Sequence, residues 1–418
     1  MGATAAEWQI LSGDCLDVLR RLPADCIGAM VTDPPAGIGF MGRSWDKDHG
    51  GRVEWIAWLR SIMQECLRVL KPGAHALVWA IPRTSHWTAT AIEEAGFEIR
   101  DVVTHHFGTG FPKSLNLEKA GAGESWHGWG TALKPATEHW ILARKPLATT
   151  VAANVLAHGT GGINVDACRI GYADAADMDQ ARVPQPTFGV DKGNVLNFAA
   201  GEGRNGETFD PSKGRWPANL VLSHSPECME AIGGTPRACV PGCPVAEIDA
   251  QSGTLKSGAK RPTEGRQGDV VYGKGLGSAP STASEGTASR FFYVAKPSTS
   301  EREEGLAHLP KKTGADITNR DEDSAGINNP RAGAGRTSAG RANHHPTVKS
   351  IALMSWLIKL VSPPGAIVLD PFAGSGSTGV AAVLNGWTFL GIEKEEEYAV
   401  IARARIEHAA SKFTGVAP

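Results

Sequence analysis

Two acidic residues of this 418-residue chain stand where a carboxylate could do chemistry. The first is Asp33, in "AMVTDPPAGIGF", residues 29 to 40. The apolar run Ile27 to Thr32, bounded by Gly and Pro, reads as a buried strand. Pro34 and Pro35 lack N–H donors and cannot extend a sheet ladder. Asp33 therefore falls just past the carboxyl end of a strand, the edge at which open α/β sheets bind ligands. Two fixed φ angles stiffen the turn and preposition the carboxylate. The plainer alternative is a strand-ending turn with a solvated Asp.

The second is Asp370, in "IVLDPFAGSGSTGVAA" from Ile367. A strand runs into the acid, then a Gly-rich turn, then a helix. Gly374 and Gly376 permit a tight turn and close approach of backbone to a ligand. No Lys follows the last Gly, so this is not a P-loop. The glycines also depart from the dinucleotide pattern G-x-G-x-x-G. A carboxylate ahead of the turn repels pyrophosphate and favours a ligand carrying a cation. Glu393 ends the next strand, where an acid can bind ribose hydroxyls. Ribose, a cationic amine and no phosphate together fit S-adenosylmethionine.

"TDPPAG" with "DPFAGSGSTG" resembles the amino-group DNA methyltransferases, which methylate adenine N6 or cytosine N4. The catalytic motif comes first, a variable region follows and the cofactor motif comes last, which is the permuted order of the beta class. "NHHPTVKS", residues 343 to 350, is similar to the segment preceding the cofactor strand in that class, with Ser350 in place of the usual Pro. "GDCLDVLRRLP" is similar to the opening of such enzymes. The resemblance implies catalytic roles for Asp33, Pro34, Pro35 and Ala36. It implies cofactor contacts from Asp14, Asp33, Thr347, Lys349, Asp370, Phe372, Gly374, Gly376, Thr378 and Glu393. The exocyclic amine is a poor nucleophile because its lone pair is delocalised into the ring. The Asp33 carboxylate and the Pro34 carbonyl would accept its two hydrogens and free that pair, so positioning and electrostatics carry the reaction. The base must first leave the duplex.

Ala36 departs from the family, which usually has an aromatic there, stacked on the flipped base. Such a stack is worth ~1–3 kcal/mol. Three readings stand: a natural variant with its aromatic elsewhere, an inactivated protein, or a binding protein that lost catalysis. Phe40, Trp45, His127 and Trp129 are the candidate base contacts, with packing at the sheet edge as the alternative for each.

"SHSPECMEAIGGTPRACVPGC" holds His224-x3-Cys228, ten residues, then Cys239-x3-Cys243. Four soft or imidazole donors in two pairs suit a structural, tetrahedral zinc. The other cysteines, Cys15, Cys26, Cys66 and Cys168, lie in apolar contexts and read as core.

These groups need elements to hold them. Residues 8 to 145 read as strands alternating with helices: "WQIL", the Asp33 strand, "ALVWAI", "FEIRDVVTHHF" and "EHWILARKP" as strands; "SGDCLDVLRRLP", Val53 to Leu70 and "SHWTATAIEEAG" as helices. Pro72 and Gly73 should stop the second helix. Toward the C-terminus, Thr347 to Leu360, "GSTGVAAVLNG" and Glu395 to Ala410 read as helices, with "AIVLD" and "WTFLGIEK" as strands. The fold class expected is α/β: a mostly parallel, Rossmann-like S-adenosylmethionine methyltransferase sheet with helices on both faces, circularly permuted. Residues 1–150 would be its catalytic half and 346–418 its cofactor half. Residues 151–345, with weak periodicity, would be a large irregular target-recognition insertion. Its tracts Gln251 to Ser289 and Lys312 to Ala342 read as mobile loops or disorder.

Hydrophobic residues at 41%, charged residues at 21% and a net charge of -2 exclude little beyond a fibrous or strongly basic protein. No apolar run approaches the ~20 residues of a membrane span. No secretory signal opens the chain, so a cytoplasmic location in a bacterial or phage-infected cell is expected. The expected partner is double-stranded DNA, with a homodimer possible and no membrane. Adenine N6 is favoured as target over cytosine N4. The competing classes are a DNA-binding protein with an impaired site and a methyltransferase for RNA or protein Gln.

Overall fold

The computed structural model describes residues 7–39, 44–108, 110, 114–172, 213–225, 228, 239–257, 269–270, 273–274, 284–295, 300–318 and 340–414. In chain order the strands are β1 (Trp8–Ser12), β2 (Ile27–Thr32), β3 (Leu70–Ala80), β4 (Glu98–His106), β5 (Thr137–Arg144), β6 (Leu220–Ser223), β7 (Leu255–Ser257), β8 (Asp269–Val270), β9 (Gly273–Lys274), β10 (Ser284–Gly286), β11 (Tyr293–Ala295), β12 (Ile367–Asp370) and β13 (Thr388–Glu393). Nine of them form one sheet in the order β1-β13-β12-β2-β3-β5-β4-β6-β11. All neighbours in it are parallel except β5, which runs against β3 and β4. The other four strands make two small ribbons.

The strands are apolar on both faces because helices cover both. Met30, Ala76, Val78, Ile141 and Ala143 pack on one side with the helices Arg52–Val69 and Ser85–Glu94. Their neighbours Ala29, Val31, Leu77, Trp140 and Leu142 face the other side, against Ile351–Val361, Ser377–Leu384 and Glu396–Thr414. That alternation is the two-residue period of a strand read in a three-layer α/β molecule. Among the described residues, no helix is long and apolar enough to cross a membrane.

The strand before the Gly-rich turn comes late in the chain yet lies at the centre: β12 pairs with β2, Leu369 opposite Met30. The permuted order therefore brings the two acidic strand ends side by side. Four boundaries differ from expectation. The first helix is only Cys15–Leu19, capped by Asp14, whose carboxylate accepts from the Leu16 amide at 3.0 Å. Leu70 ends the second helix and starts β3 at once, through Pro72 and Gly73. The irregular pairing with β2 between Ile27 and Ala29 absorbs that stretch. The helix ends where expected, and the Gly73 amide bonds to the Lys145 carbonyl, so the Pro-Gly pair also forms part of β3. The helix expected from Thr347 begins at Ile351 and leaves Thr347 to Lys349 extended. Finally, β6 and β11, within residues 151–345, extend the main sheet. Most of the two tracts read as mobile loops lies outside the described residues.

Candidate active site

β2 delivers Asp33, and the turn after it is fixed from below. The buried carboxylate of Asp46 accepts from the amides of Ala36 at 2.6 Å and Gly37 at 3.0 Å. The Thr84 hydroxyl donates to the Ala36 carbonyl at 3.0 Å. Gly37, at φ 71°, lies where an added Cβ would strike the Trp55 indole. The Asp-Pro-Pro-Ala turn thus has little freedom.

Asp33 is largely buried and ion-paired. Lys349, from the extended segment before the Ile351 helix, donates to its Oδ2 at 2.6 Å, with 10% and 16% of the two side chains exposed. The Lys349 ammonium also lies 4.0 Å above the Trp79 ring centre. Burial pushes the Asp33 carboxyl up to about 6 against the pull of Lys349. For Lys349 the nearby carboxylates of Asp33 and Glu138 outweigh burial and keep the ammonium charged.

The Gly-rich turn faces this pair. Asp370 is buried and accepts from Thr32 Oγ1 at 2.7 Å, Thr378 Oγ1 at 2.6 Å and the Phe372 amide at 3.1 Å. Burial pushes its carboxyl up. Glu393 accepts from the Gly374 amide at 2.7 Å and the Glu395 amide at 2.8 Å, so it is aimed by the turn it faces. Gly374 has φ 52°, and a Cβ there would meet the His345 ring at 2.9 Å. Arg405, buried behind the turn, donates to the Ser375 carbonyl at 2.6 Å. Arg302 holds the carbonyls of Asn343 and His345. His345 is pushed down to about 3 by burial and the neighbouring Lys349 and Arg302, so its imidazole is neutral.

One cavity of about 900 Å³ joins these parts. Asp14, Asp33, Pro34, Pro35, Ala36, Thr347, Lys349, Asp370, Phe372, Gly374, Thr378 and Glu393 all line it; Gly376 sits one step behind. Its volume suits a nucleoside-sized ligand and a base. Trp45 also lines it, its ring nearly parallel to that of His345 at 6.3 Å. His127 and Trp129 are not in its wall. They lie on the exposed hairpin bridged at Asn116 and Gly130, where His127 bonds to Glu118 at 2.8 Å and Trp129 abuts Trp126 edge-on. Phe40 lies outside the described residues. Among the wall residues that escaped the sequence reading are Glu138, Trp79 and His345. His345 sits inside the "NHHPTVKS" segment, so its neighbourhood was signalled; the other two depend on strand pairing.

At the far edge of the sheet the donor atoms of His224, Cys228, Cys239 and Cys243 all lie within 4.8 Å of one another. His224 Nδ1 is 3.5 Å from Cys239 Sγ and 3.4 Å from Cys243 Sγ. Tetrahedral bonds of ~2.0 and ~2.3 Å give an N–S edge of about 3.5 Å, so the arrangement fits zinc. Burial pushes the Cys243 thiol up, but amide hydrogen bonds at the start of the helix Pro244–Ser252 outweigh it and bring it below its ordinary value. A small core of Leu222, Val245, Phe292 and Val294 surrounds the cluster, between β6, β11 and that helix.

Residues 260–404 match the family model N6_N4_Mtase, DNA methylase. The chain is 47% identical over 66 residues to the type II methyltransferase M2.DpnII of Streptococcus pneumoniae, a match covering 16% of this chain and 25% of that one. It is also 47% identical over 66 residues to the DNA adenine methyltransferase YhdJ of Escherichia coli strain K12, over 16% of this chain and 22% of that one. The chain thus matches only about a quarter of the length of these relatives. Among solved structures, the M1.HpyAVI–SAM complex overlays 96% of this chain and 98% of its own with a TM-score of 0.38 at 16% identity. The cytosine-N4-specific PvuII DNA methyltransferase overlays 99% and 95% with a TM-score of 0.42 at 11% identity. At those scores the overlays add nothing to the site. The sequence matches do: the stretch that matches the DNA methylase family model carries Asp370, the Gly-rich turn and Glu393.

Proposed function

We propose that this protein transfers a methyl group from S-adenosylmethionine to the exocyclic amine of a flipped base in double-stranded DNA, with adenine N6 as the target. The observation that carries the reading is the single cavity in which a dry, oriented carboxylate, Asp33, faces the Gly374 turn and Glu393. Glu393 and the turn would hold the ribose end of the cofactor. Asp370 and Thr378 keep the turn in shape beside its cationic end, and Asp14 and Phe372 close that side. When bound, the cofactor supplies an electrophilic sulfonium methyl. Asp33 and the Pro34 carbonyl would accept the two amine hydrogens and hold the nitrogen toward tetrahedral geometry. Transfer forms the N–C bond, breaks the S–C bond with its electron pair left on sulfur, and releases one amine proton.

Trp45 supports the reading that the aromatic missing at Ala36 comes from elsewhere, because it lines the same cavity. Residues 151–345 are proposed as the target-recognition part. The His224, Cys228, Cys239 and Cys243 cluster is proposed to hold a structural zinc, since its donor set and spacing fit one. The adenine assignment draws on the name of one relative, the DNA adenine methyltransferase YhdJ.

The test is to incubate the protein with duplex DNA and methyl-labelled S-adenosylmethionine and to identify the modified nucleoside by mass spectrometry. N6-methyladenine is expected. N4-methylcytosine would overturn the choice of base. Absence of transfer from the protein, with activity appearing in Ala36→Tyr, would leave the impaired-site reading standing.

A further inference from the structure

A carboxylate other than Asp33 opens into the same cavity. Glu138 lies on β5, the one strand that runs against its neighbours, and it is directly opposite His105 of β4. Directly opposed residues on paired strands share a face, and here they touch: Glu138 Oε2 is 3.2 Å from His105 Nδ1. The other ring nitrogen of His105, Nε2, is 2.7 Å from the hydroxyl of Ser223 on β6. All three side chains are largely withdrawn from water. Glu138 is therefore oriented by a ring that is itself oriented, and it lines the cavity.

Lys349 lines the same cavity. Burial pushes Glu138 up, but Lys349 and His105 outweigh that and leave its carboxyl below the ordinary value. Lys349 is drawn in turn by Asp33 and by Glu138. The cavity wall holds one ammonium, paired with Asp33 at 2.6 Å and over the face of Trp79, together with a second carboxylate, Glu138. In a dry pocket this division matters. A lysine committed to Asp33 alone would take up the acceptor strength that the target amine needs, since a charge-assisted bond is about twice as strong as a neutral one. A second carboxylate acting on the same ammonium weakens that hold.

We propose that Glu138 is a positioning residue for methyl transfer: held by His105 and Ser223, it shares Lys349 with Asp33 and leaves the Asp33 carboxylate free to accept from the target amine. This deepens the methyltransferase reading and rests on it for its effect on rate; its effect on Lys349 does not. The charged groups acting on Asp33 are Lys349 from the extended segment, Glu138 from β5 and Asp370 from β12. Those acting on Glu138 are Lys349 and His105, and His345 stands beside Lys349. Removing the Glu138 charge lowers the pKa of both partners: Asp33 loses a like charge, and Lys349 loses an opposite one.

The experiment compares the full-length protein with Glu138→Gln and Glu138→Asp by two readouts. The first needs no activity. Trace labelling with acetic anhydride across a pH series, read on the Lys349 peptide by mass spectrometry, gives the pH at which the amine becomes reactive. That midpoint should move to lower pH in Glu138→Gln and stay near the parent in Glu138→Asp; an unmoved midpoint in Glu138→Gln overturns the proposal whatever the protein methylates. The second is methyl transfer. The kcat of Glu138→Gln should fall tenfold or more, with KM for S-adenosylmethionine within about twofold and the acidic limb of kcat/KM shifted to lower pH. A variant as active as the parent, or one whose loss lies wholly in KM for the cofactor, overturns it as well. Failure of the parent to methylate any DNA, with the labelling shift present, counts against the methyltransferase reading alone.

Discussion

Asp33 combines a dry setting with an ammonium 2.6 Å away, and its titration follows from both. Burial is the larger effect and places the carboxyl at about 6. The ionised form is the one that accepts a hydrogen bond, so methyl transfer should decline as pH falls through about 6, and kcat/KM against pH should show an acidic limb there. Asp33→Asn should remove that limb together with most of the rate. Loss of one preorganised electrostatic contact costs about 10²–10³ in rate, and loss of a charged one more. Single-turnover measurements at saturating cofactor separate this from weakened binding. At this scale the sequence was informative where chemistry is local. Asp33, Asp370, Gly374 and Glu393 were marked by their immediate neighbours, a strand on one side and a Pro or Gly turn on the other. Glu138 was not. In "ATEHWILARKP" it looks like any acid at the start of a strand; only its register against His105 places it in the cavity.

The elements hold these residues by two different devices, and each invites a test. The turn between β12 and its helix depends on glycine at 374. An alanine there would occupy left-handed backbone, at about 1–2 kcal/mol, and would also press on the His345 ring. Gly374→Ala should weaken S-adenosylmethionine binding at least tenfold by calorimetry, because the amide that aims Glu393 must move. The edge strands border the His-Cys cluster. Removing one of the four proposed ligands, Cys243→Ser, should leave the purified protein with less than one zinc per chain by metal analysis. It should also lower its Tm and speed amide exchange across Leu220–Ser223, since ligation energy in such loop-rich segments is folding energy. The pairing of these four residues was legible from spacing alone. That the cluster borders strands of the main sheet was not, because β6 and β11 have 4 and 3 residues, too few to show a period. Likewise Pro72 and Gly73 promise a stop in isolation, and the Lys145 carbonyl turns them into part of β3.

In the whole molecule, the two halves of the site come from opposite ends of the chain and meet in the middle of one sheet. β12 is hydrogen-bonded to β2 on one side and to β13 on the other, while β1 reaches round to pair with β13. Every residue of β2 is buried. A chain cut after residue 345 would leave β2 without its β12 neighbour and uncover the apolar face that the helices from Ile351 onward protect. Such a fragment should partition into the insoluble fraction on expression, and co-expression of residues 346–418 should return part of it to solution. The same topology bears on how the protein is made. Met30 leaves the ribosome long before Leu369, its partner. At ~5–20 residues per second, the wait is on the order of 20 to 70 seconds. For that interval the nascent chain carries an unsatisfied apolar strand edge, of the kind that pairs with other chains or recruits a chaperone. Slower translation between Met30 and Leu369 should therefore lower the soluble yield of a protein whose two acidic strand ends meet only once β12 has been made.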